Sequence, residues 1–224
     1  MDAKEVDLVF LIADLSGYTA LTEAHGNIQA ATVVTRYTEL AKGLLEPDAR
    51  IHERVGDELV IVGEDAASIV RTAVKLRDAV EREQLFPMVR SGIHAGTVAE
   101  HAASYFGSAL NLAARVAAYA RGSQILCTEQ VTTLAADLDE VAYHPLGPVR
   151  FKNVVDPVAV FEVIAGRESR ESTAIDPVCH MQVWPDTAPA RLPFGGRTYH
   201  FCSLECAEAF VKCPEHYAGS TRAD

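Results

Sequence analysis

The chain has 224 residues, a formal net charge of −11 and 49% hydrophobic residues, enough for one full domain with a packed core plus an appendage. The acidic balance argues against a nucleic-acid surface, which needs Lys and Arg in excess to neutralise phosphates, and disfavours an anionic membrane surface. No apolar stretch approaches the roughly 20 residues needed to cross a bilayer, and the charged residues 1–7 do not read as a signal peptide, so a cytoplasmic protein is expected.

Residues 6–13 (VDLVFLIA) form a nearly continuous apolar run, the pattern of a buried central strand. After the turn-like LSGY, residues 19–45 carry a long helical pattern. Residues 50–63 (RIHERVGDELVIVG) predict two short strands joined at Gly56-Asp57, a pair suited to a tight hairpin turn. Residues 66–83 predict an amphipathic helix, with Ile69, Val70, Ala73, Val74, Leu76 and Val80 at helical spacing. Residues 86–98 return to strand, residues 107–120 predict an alanine-rich helix, and strands are expected at 123–127, 141–144, 149–151 and 158–164. The order β-α-β-β-α-β, extended by further elements, predicts an α+β fold over residues 1–165. It is ferredoxin-like (split βαβ), with an antiparallel-dominated sheet.

Residues 166–173 are polar and lack an apolar period, which predicts a linker. From 174 to 224 proline, cysteine and aromatic content rises, and helical periodicity returns only near 203–211. Four of the five cysteines fall in this tail. Without an export signal, such a cluster indicates metal or redox chemistry rather than disulfides, so a small cysteine-containing module is expected.

Asp14 ends the first strand and Asp57 sits at the hairpin tip, so neighbouring strands would project both carboxylates to one sheet edge. Close carboxylates repel each other, and two divalent cations relieve that repulsion while binding a triphosphate. A lone Asp at a strand end is more commonly a cap or turn residue. Here further motifs accompany it in order: Gly92-Ile93-His94-Ala95-Gly96, then Tyr105-Phe106-Gly107 with Asn111-Leu112-Ala113-Ala114-Arg115, then Phe151-Lys152. Across about residues 6–165 the sequence resembles the class III adenylate/guanylate cyclase catalytic domain in motif order and spacing.

That resemblance implies a nucleotidyl cyclase, a lyase that forms a 3′,5′-cyclic monophosphate and pyrophosphate from GTP or ATP. It assigns two Mg²⁺ or Mn²⁺ per active site to Asp14 and Asp57, ribose orientation to Asn111, charge on the α-phosphate to Arg115 and the terminal phosphates to Lys152. It also implies a homodimer in which one subunit supplies the metal carboxylates and the other the Asn–Arg helix. His94, in a buried-looking strand, is expected to be a packed structural residue rather than a base.

Two positions depart from the adenylate pattern of the family. Glu53 stands where lysine is common and Ser104 where aspartate is common. Adenine offers an N1 acceptor and an N6 donor, which suit Lys and Asp; guanine offers N1–H and N2–H₂ donors with an O6 acceptor, which suit a carboxylate and a hydroxyl. Glu53 and Ser104 as base readers therefore fit guanine better, with adenine left open. They equally fit a non-catalytic regulator that binds nucleotide or metal through a cyclase-like dimer.

In the tail, Asp176-Pro177-Val178-Cys179-His180-Met181, Tyr199-His200-Phe201-Cys202-Ser203 and Cys206 resemble a YHS-type metal-binding domain over about residues 174–218. Its Cys179, Cys202 and Cys206 would give three thiolates, which favour Zn²⁺ or Cu⁺ over Mg²⁺. A fourth ligand could be His180, His200, Cys213 or none, with Cys127 and Cys213 expected as buried thiols. A module this small has little core, so metal would add folding energy and could tune a cyclase.

Overall fold

The computed structural model describes residues 3–166 and 173–219. The expected linker therefore lies mostly outside the described residues. The N-terminal part opens with β1 (Lys4–Leu15), α1 (Tyr18–Leu44), β2 (Arg50–Val55), β3 (Glu58–Gly63), α2 (Ala66–Arg82) and β4 (Val89–His101). It continues with β5 (Ser104–Phe106), α3 (Ser108–Tyr119), β6 (Ile125–Thr128), α4 (Glu129–Leu134), β7 (Val141–Val149) and β8 (Val158–Ala165). The sheet runs β2-β3-β1-β4-β6-β8-β7, with β5 paired to β4. Every pair is antiparallel except β4–β6. Strands β2, β3, β1 and β4 with helices α1 and α2 form the ferredoxin-like unit expected from the element order.

The unbroken apolar run of β1 has a simple cause: both of its faces are covered. Val9, Leu11, Ala13 and Leu15 meet α1 and α2, whereas Leu8, Phe10 and Ile12 join Ala109, Ala113 and Ala117 of α3. Alanines at every fourth position let α3 lie directly on the sheet. A Cβ on Gly92 would fall 2.1 Å from the Ala117 amide nitrogen, so only glycine admits the helix there. Helix α2 starts on Asp65, whose carboxylate accepts from the amides of Ala67 and Ser68, and it buries Ile69, Val70, Ala73, Leu76 and Val80.

The expected strand at 149–151 is instead the end of β7, which runs continuously through a bulge between Pro145 and Gly147. Pro145 and Pro148 fit because β7 is an edge strand, where a missing backbone donor is tolerated. Phe151 and Lys152 consequently sit in the β7–β8 connection rather than on a strand. Helix α4 and strand β5 lack any pattern long enough to announce them.

The C-terminal part contains β9 (Ala174–Ile175), β10 (Gln182–Val183), β11 (Ala190–Phe194), β12 (Arg197–Phe201), α5 (Leu204–Lys212) and α6 (Pro214–Ala218). Its aromatic residues gather around Phe210, with Phe194, Tyr199, Phe201 and Tyr217 as neighbours. This part is docked on the first. Val178, Cys179, Met181, Val183 and Phe201 share one apolar cluster with Leu21, Val80 and Phe86. The Gln182 amide donates to the Phe86 carbonyl at 2.9 Å, and Pro87 and Met181 form a bridge. Among the described residues no helix is long and apolar enough to cross a membrane.

Candidate active site and metal centre

Strands β1 and β3 are neighbours in a register that sets Ala13 opposite Leu59. The Asp14 carboxylate and the Asp57 carboxylate at the β2–β3 turn therefore meet at one end of the sheet. Burial first, and then the charge of Asp14, pushes the Asp57 carboxyl up to about 6. Glu58 is raised by the same two causes, in the same order, with Arg90 opposing. Arg90, paired with Asp14 across β1 and β4, donates to Asp14 Oδ2 from Nε at 2.9 Å and Nη2 at 2.7 Å. Beneath them Tyr37 is fully buried, and its hydroxyl has no hydrogen-bond partner among the described residues. Burial raises the Tyr37 phenol well above its usual value, with further contributions from Asp14, Asp57 and Glu58.

One guanidinium thus pairs with Asp14 in a group of three carboxylates that also includes Asp57 and Glu58. All donors are oxygens, a set that suits hard divalent cations such as Mg²⁺ or Mn²⁺.

Asn111 and Arg115 lie on α3 off its buried alanine stripe. Asn111 is exposed and its amide donates to the Gly107 carbonyl at 3.4 Å; Arg115 is half-buried. Lys152 is exposed. Its neighbour Phe151 packs edge-on against Tyr119 at the end of α3, with ring centroids 6.0 Å apart. Among the described residues no hydrogen bond or ion pair joins Asn111, Arg115 or Lys152 to Asp14 or Asp57, and α3 packs on the Leu8, Phe10 and Ile12 side of β1. Within one chain the expected site residues therefore form two groups, the carboxylates at the β1–β3 end and the α3 group with Lys152.

Glu53 and Ser104 are exposed, on β2 and β5. Tyr105 joins these two strands, accepting a 2.7 Å hydrogen bond from Arg50 Nη2 and stacking near His52. The bulge between Ile51 and Glu53 pairs Glu53 with Val60, whose partner on β1 is Ile12. His94 is buried, with Nδ1 2.8 Å from Thr128 Oγ1. Burial alone drives its imidazole down to about 4, which suits a packed neutral ring.

The second centre joins both parts of the chain. Cys179 Sγ lies 3.4 Å from Cys202 Sγ, which lies 3.6 Å from Cys206 Sγ. The buried Asp176 carboxylate ties the two cysteine loops together, accepting from the amides of Val178, Cys179 and Cys202. The ring of His25, from α1, completes the group: Nε2 is 3.3 Å from Cys202 Sγ and 3.7 Å from Cys206 Sγ. All four ligand atoms lie within 4.8 Å of one another. Hydrogen bonds from Cys179 and then Cys202 hold the Cys206 thiol low, and those from Cys202 and then Cys206 raise the Cys179 thiol.

None of the three fourth-ligand candidates from the tail joins this cluster. His180 adopts φ 62 in the left-handed region and turns its ring against Gly17. Cys213 is exposed at the α5–α6 junction rather than buried, whereas Cys127 is buried and its thiol is pushed up to about 12 by burial. His25 carries no local signal in sequence. It sits in a helical stretch far from the cysteines, and only the left-handed Gly26 beside it (φ 79, ψ 167), which kinks α1, hints at a special position.

Residues 174–221 match the YHS domain family. A pH-sensitive adenylate cyclase of Mycobacterium tuberculosis is 30% identical over 167 residues, covering 73% of this chain and 42% of that protein. The adenylyl cyclase CyaB of P. aeruginosa superposes with a TM-score of 0.66 at 20% identity, covering 75% of this chain and 98% of that one. The guanylyl cyclase Cya2 gives 0.65 at 22% identity, covering 75% and 96%. The N-terminal part therefore has the fold of class III cyclase catalytic domains and is followed by a YHS domain. The chain spans less than half the length of the curated relative it matches.

Proposed function

We propose that this chain, which joins the fold of cyclase catalytic domains to a YHS domain, is a nucleotidyl cyclase. Its substrate is a purine nucleoside triphosphate, and its products are a 3′,5′-cyclic monophosphate and pyrophosphate. The observation that carries this reading is the meeting of Asp14, near the end of β1, with Asp57, in the β2–β3 turn, where their repulsion and burial make a receptive site for hard cations. The similarity of residues in the N-terminal part to a named adenylate cyclase supports it.

Asp14 and Asp57 would hold two divalent cations. Bound there, Mg²⁺ or Mn²⁺ lowers the pKa of the ribose 3′-hydroxyl and neutralises the leaving phosphates. The ribose 3′-hydroxyl gives up its proton to solvent, and its oxygen forms a bond to the α-phosphorus as the bond from that phosphorus to the pyrophosphate oxygen breaks. Arg115 meets the charge that builds on the α-phosphate with a rigid fork of donors, and Asn111 fixes the ribose. Lys152, a mobile point charge in a connection, holds the terminal phosphates.

The separation of the α3 group from the carboxylates supports a two-fold dimer in which each chain supplies half of each of two sites. Phe106 and Val55, each 57% exposed, offer apolar surface for such a contact. Glu53 and Ser104 favour guanine by the donor–acceptor argument, and both are exposed where a base could reach them. The YHS domain binds a thiophilic metal through Cys179, Cys202 and Cys206 in this reading.

The test is incubation of purified protein with GTP or ATP and Mn²⁺ or Mg²⁺, with products identified by mass spectrometry. Cyclic nucleotide and pyrophosphate should appear in equal amounts, faster from GTP. Absence of both products under all four conditions would overturn the enzymatic reading.

A further inference from the structure

The geometry points to a closed tetrahedral zinc site, Cys179–Cys202–Cys206–His25, whose fourth ligand comes from the cyclase helix α1 rather than from the YHS domain. It deepens the reading of the three cysteines as metal ligands and rests on it.

The spacing fits zinc. With Zn–S near 2.3 Å and Zn–N near 2.0–2.1 Å, the edges of a regular tetrahedron are roughly 3.5–3.8 Å. Four of the six edges, 3.4 and 3.6 Å between sulfurs and 3.3 and 3.7 Å from sulfur to the His25 nitrogen, lie close to those lengths, and the other two, both from Cys179 Sγ, are within 4.8 Å. Three thiolates and one imidazole form a donor set typical of structural zinc, and with four protein ligands no position is left open. Copper(I) is satisfied by two or three thiolates, whereas a four-coordinate set of three thiolates and one imidazole matches the closed sites of zinc.

Three features of the fold support His25 as a ligand. Gly26 takes a left-handed conformation that breaks α1 immediately after His25, so the first segment of the helix is aimed independently of the second. Asp176 fixes both cysteine loops through backbone amides, so the thiols are positioned before any metal arrives. A cleft lined by Glu23, His180, Glu205, Cys206 and His216 reaches the cluster from solvent and gives an ion a way in. Zinc in this site would latch the YHS domain to α1, and folding energy from the metal would be spent on the junction between the two parts.

Cobalt(II) in place of zinc reads the ligand set directly through its absorption, and a chromophoric chelator in competition reads affinity. Full-length protein should bind one zinc per chain. His25→Ala should weaken binding by at least tenfold and change the cobalt spectrum, while His25→Cys should restore tight binding with stronger sulfur-to-metal absorption. Circular dichroism of the metal-free variants controls for folding. A His25→Ala protein with wild-type affinity and spectrum would overturn the assignment of His25 while leaving the thiol site intact. Failure of the wild-type chain to bind zinc would overturn both readings, and Cys202→Ser with Cys206→Ser provides the reference for that loss.

Discussion

Arg90 donates two hydrogen bonds, of 2.9 and 2.7 Å, to a single oxygen of Asp14. The carboxylate proposed to hold the metals is thus already paired, and Arg90 also opposes the charge on Glu58. Replacing it leaves three acids facing one another at a half-buried site, with an uncompensated charge. Arg90→Gln should therefore lose about 1–2 kcal/mol without metal, roughly 2–8 °C in a domain of this size. Mn²⁺ should raise its melting temperature by more than it raises that of wild type. Equal Mn²⁺ shifts in the two proteins would mean that no cation enters between these carboxylates.

The division of site residues into two groups leads to a mixing experiment. Asp14→Ala removes a metal ligand and Arg115→Ala removes the donor on α3, so each homodimer should be inactive, with turnover reduced by at least a hundredfold. A mixed dimer keeps one site with both groups intact, so combining the two should recover a substantial part of wild-type turnover. If verified heterodimers stay inactive, the site lies within one chain and the dimer reading fails.

Base choice depends on two exposed positions. Glu53→Lys with Ser104→Asp exchanges a guanine-matched pair for an adenine-matched one. A polar group left unpaired against the wrong base costs on the order of 1–3 kcal/mol, so the ratio of turnover on GTP to that on ATP should fall by at least tenfold. An unchanged ratio would show that neither side chain touches the base.

The legible parts of this molecule are those governed by local pattern. The run at β1, the Gly56-Asp57 turn and the stripe of α2 each state their element directly, because period and turn chemistry are properties of neighbouring residues. Asp14 and Asp57 could be singled out for the same reason, since one lies at a strand end and the other at a hairpin tip. His25 could not. Its role depends on a contact between residues 177 positions apart, made only when the YHS domain docks on α1. The docking itself was hidden too. Val178 and Met181 read as the sparse core of a small module, whereas they complete the core beneath Phe86. Cys213 shows the converse, a thiol expected to be buried that ends at an exposed helix junction.

His94 gives a prediction about pH. Its folded value of about 4 lies below the ordinary 6.5, because burial disfavours the imidazolium. Above the unfolded value both states are neutral, and the residue makes no difference to stability. As pH falls below it, the unfolded chain takes up a proton that the folded one refuses, so stability drops until the folded value is reached. The loss should be on the order of 2–3 kcal/mol across that window. Urea unfolding at about pH 7 and about pH 4.5 should show wild type losing that much more than His94→Gln, whose amide can still meet Thr128. Parallel losses in the two proteins would mean that the ring takes up its proton in the fold as readily as in the unfolded chain.

The last prediction joins the two centres. Only Leu15, Ser16 and Gly17 separate Asp14 from α1, and the Ser16 amide is held by the Met88 carbonyl at 2.8 Å. A metal on His25 therefore fixes the helical segment that leads directly out of the carboxylate site. The second segment of α1 carries Tyr37 beneath Asp14 and Asp57, so both ends of the helix bear on the same carboxylates. Misplacement of reacting groups by even an ångström is enough to slow a reaction severely. Zinc occupancy should accordingly raise turnover several-fold at saturating Mn²⁺, and a chelator selective for zinc over manganese should reverse it. The proper control is the full chain with Cys202→Ser and Cys206→Ser. A chain cut near residue 166 would uncover Leu21 and Phe86, which the YHS domain buries, and would confound loss of metal with loss of core. In the double-serine protein, zinc should leave turnover unchanged. Equal zinc responses in the wild-type and double-serine proteins, or no response in either, would show that the YHS domain does not govern the cyclase site.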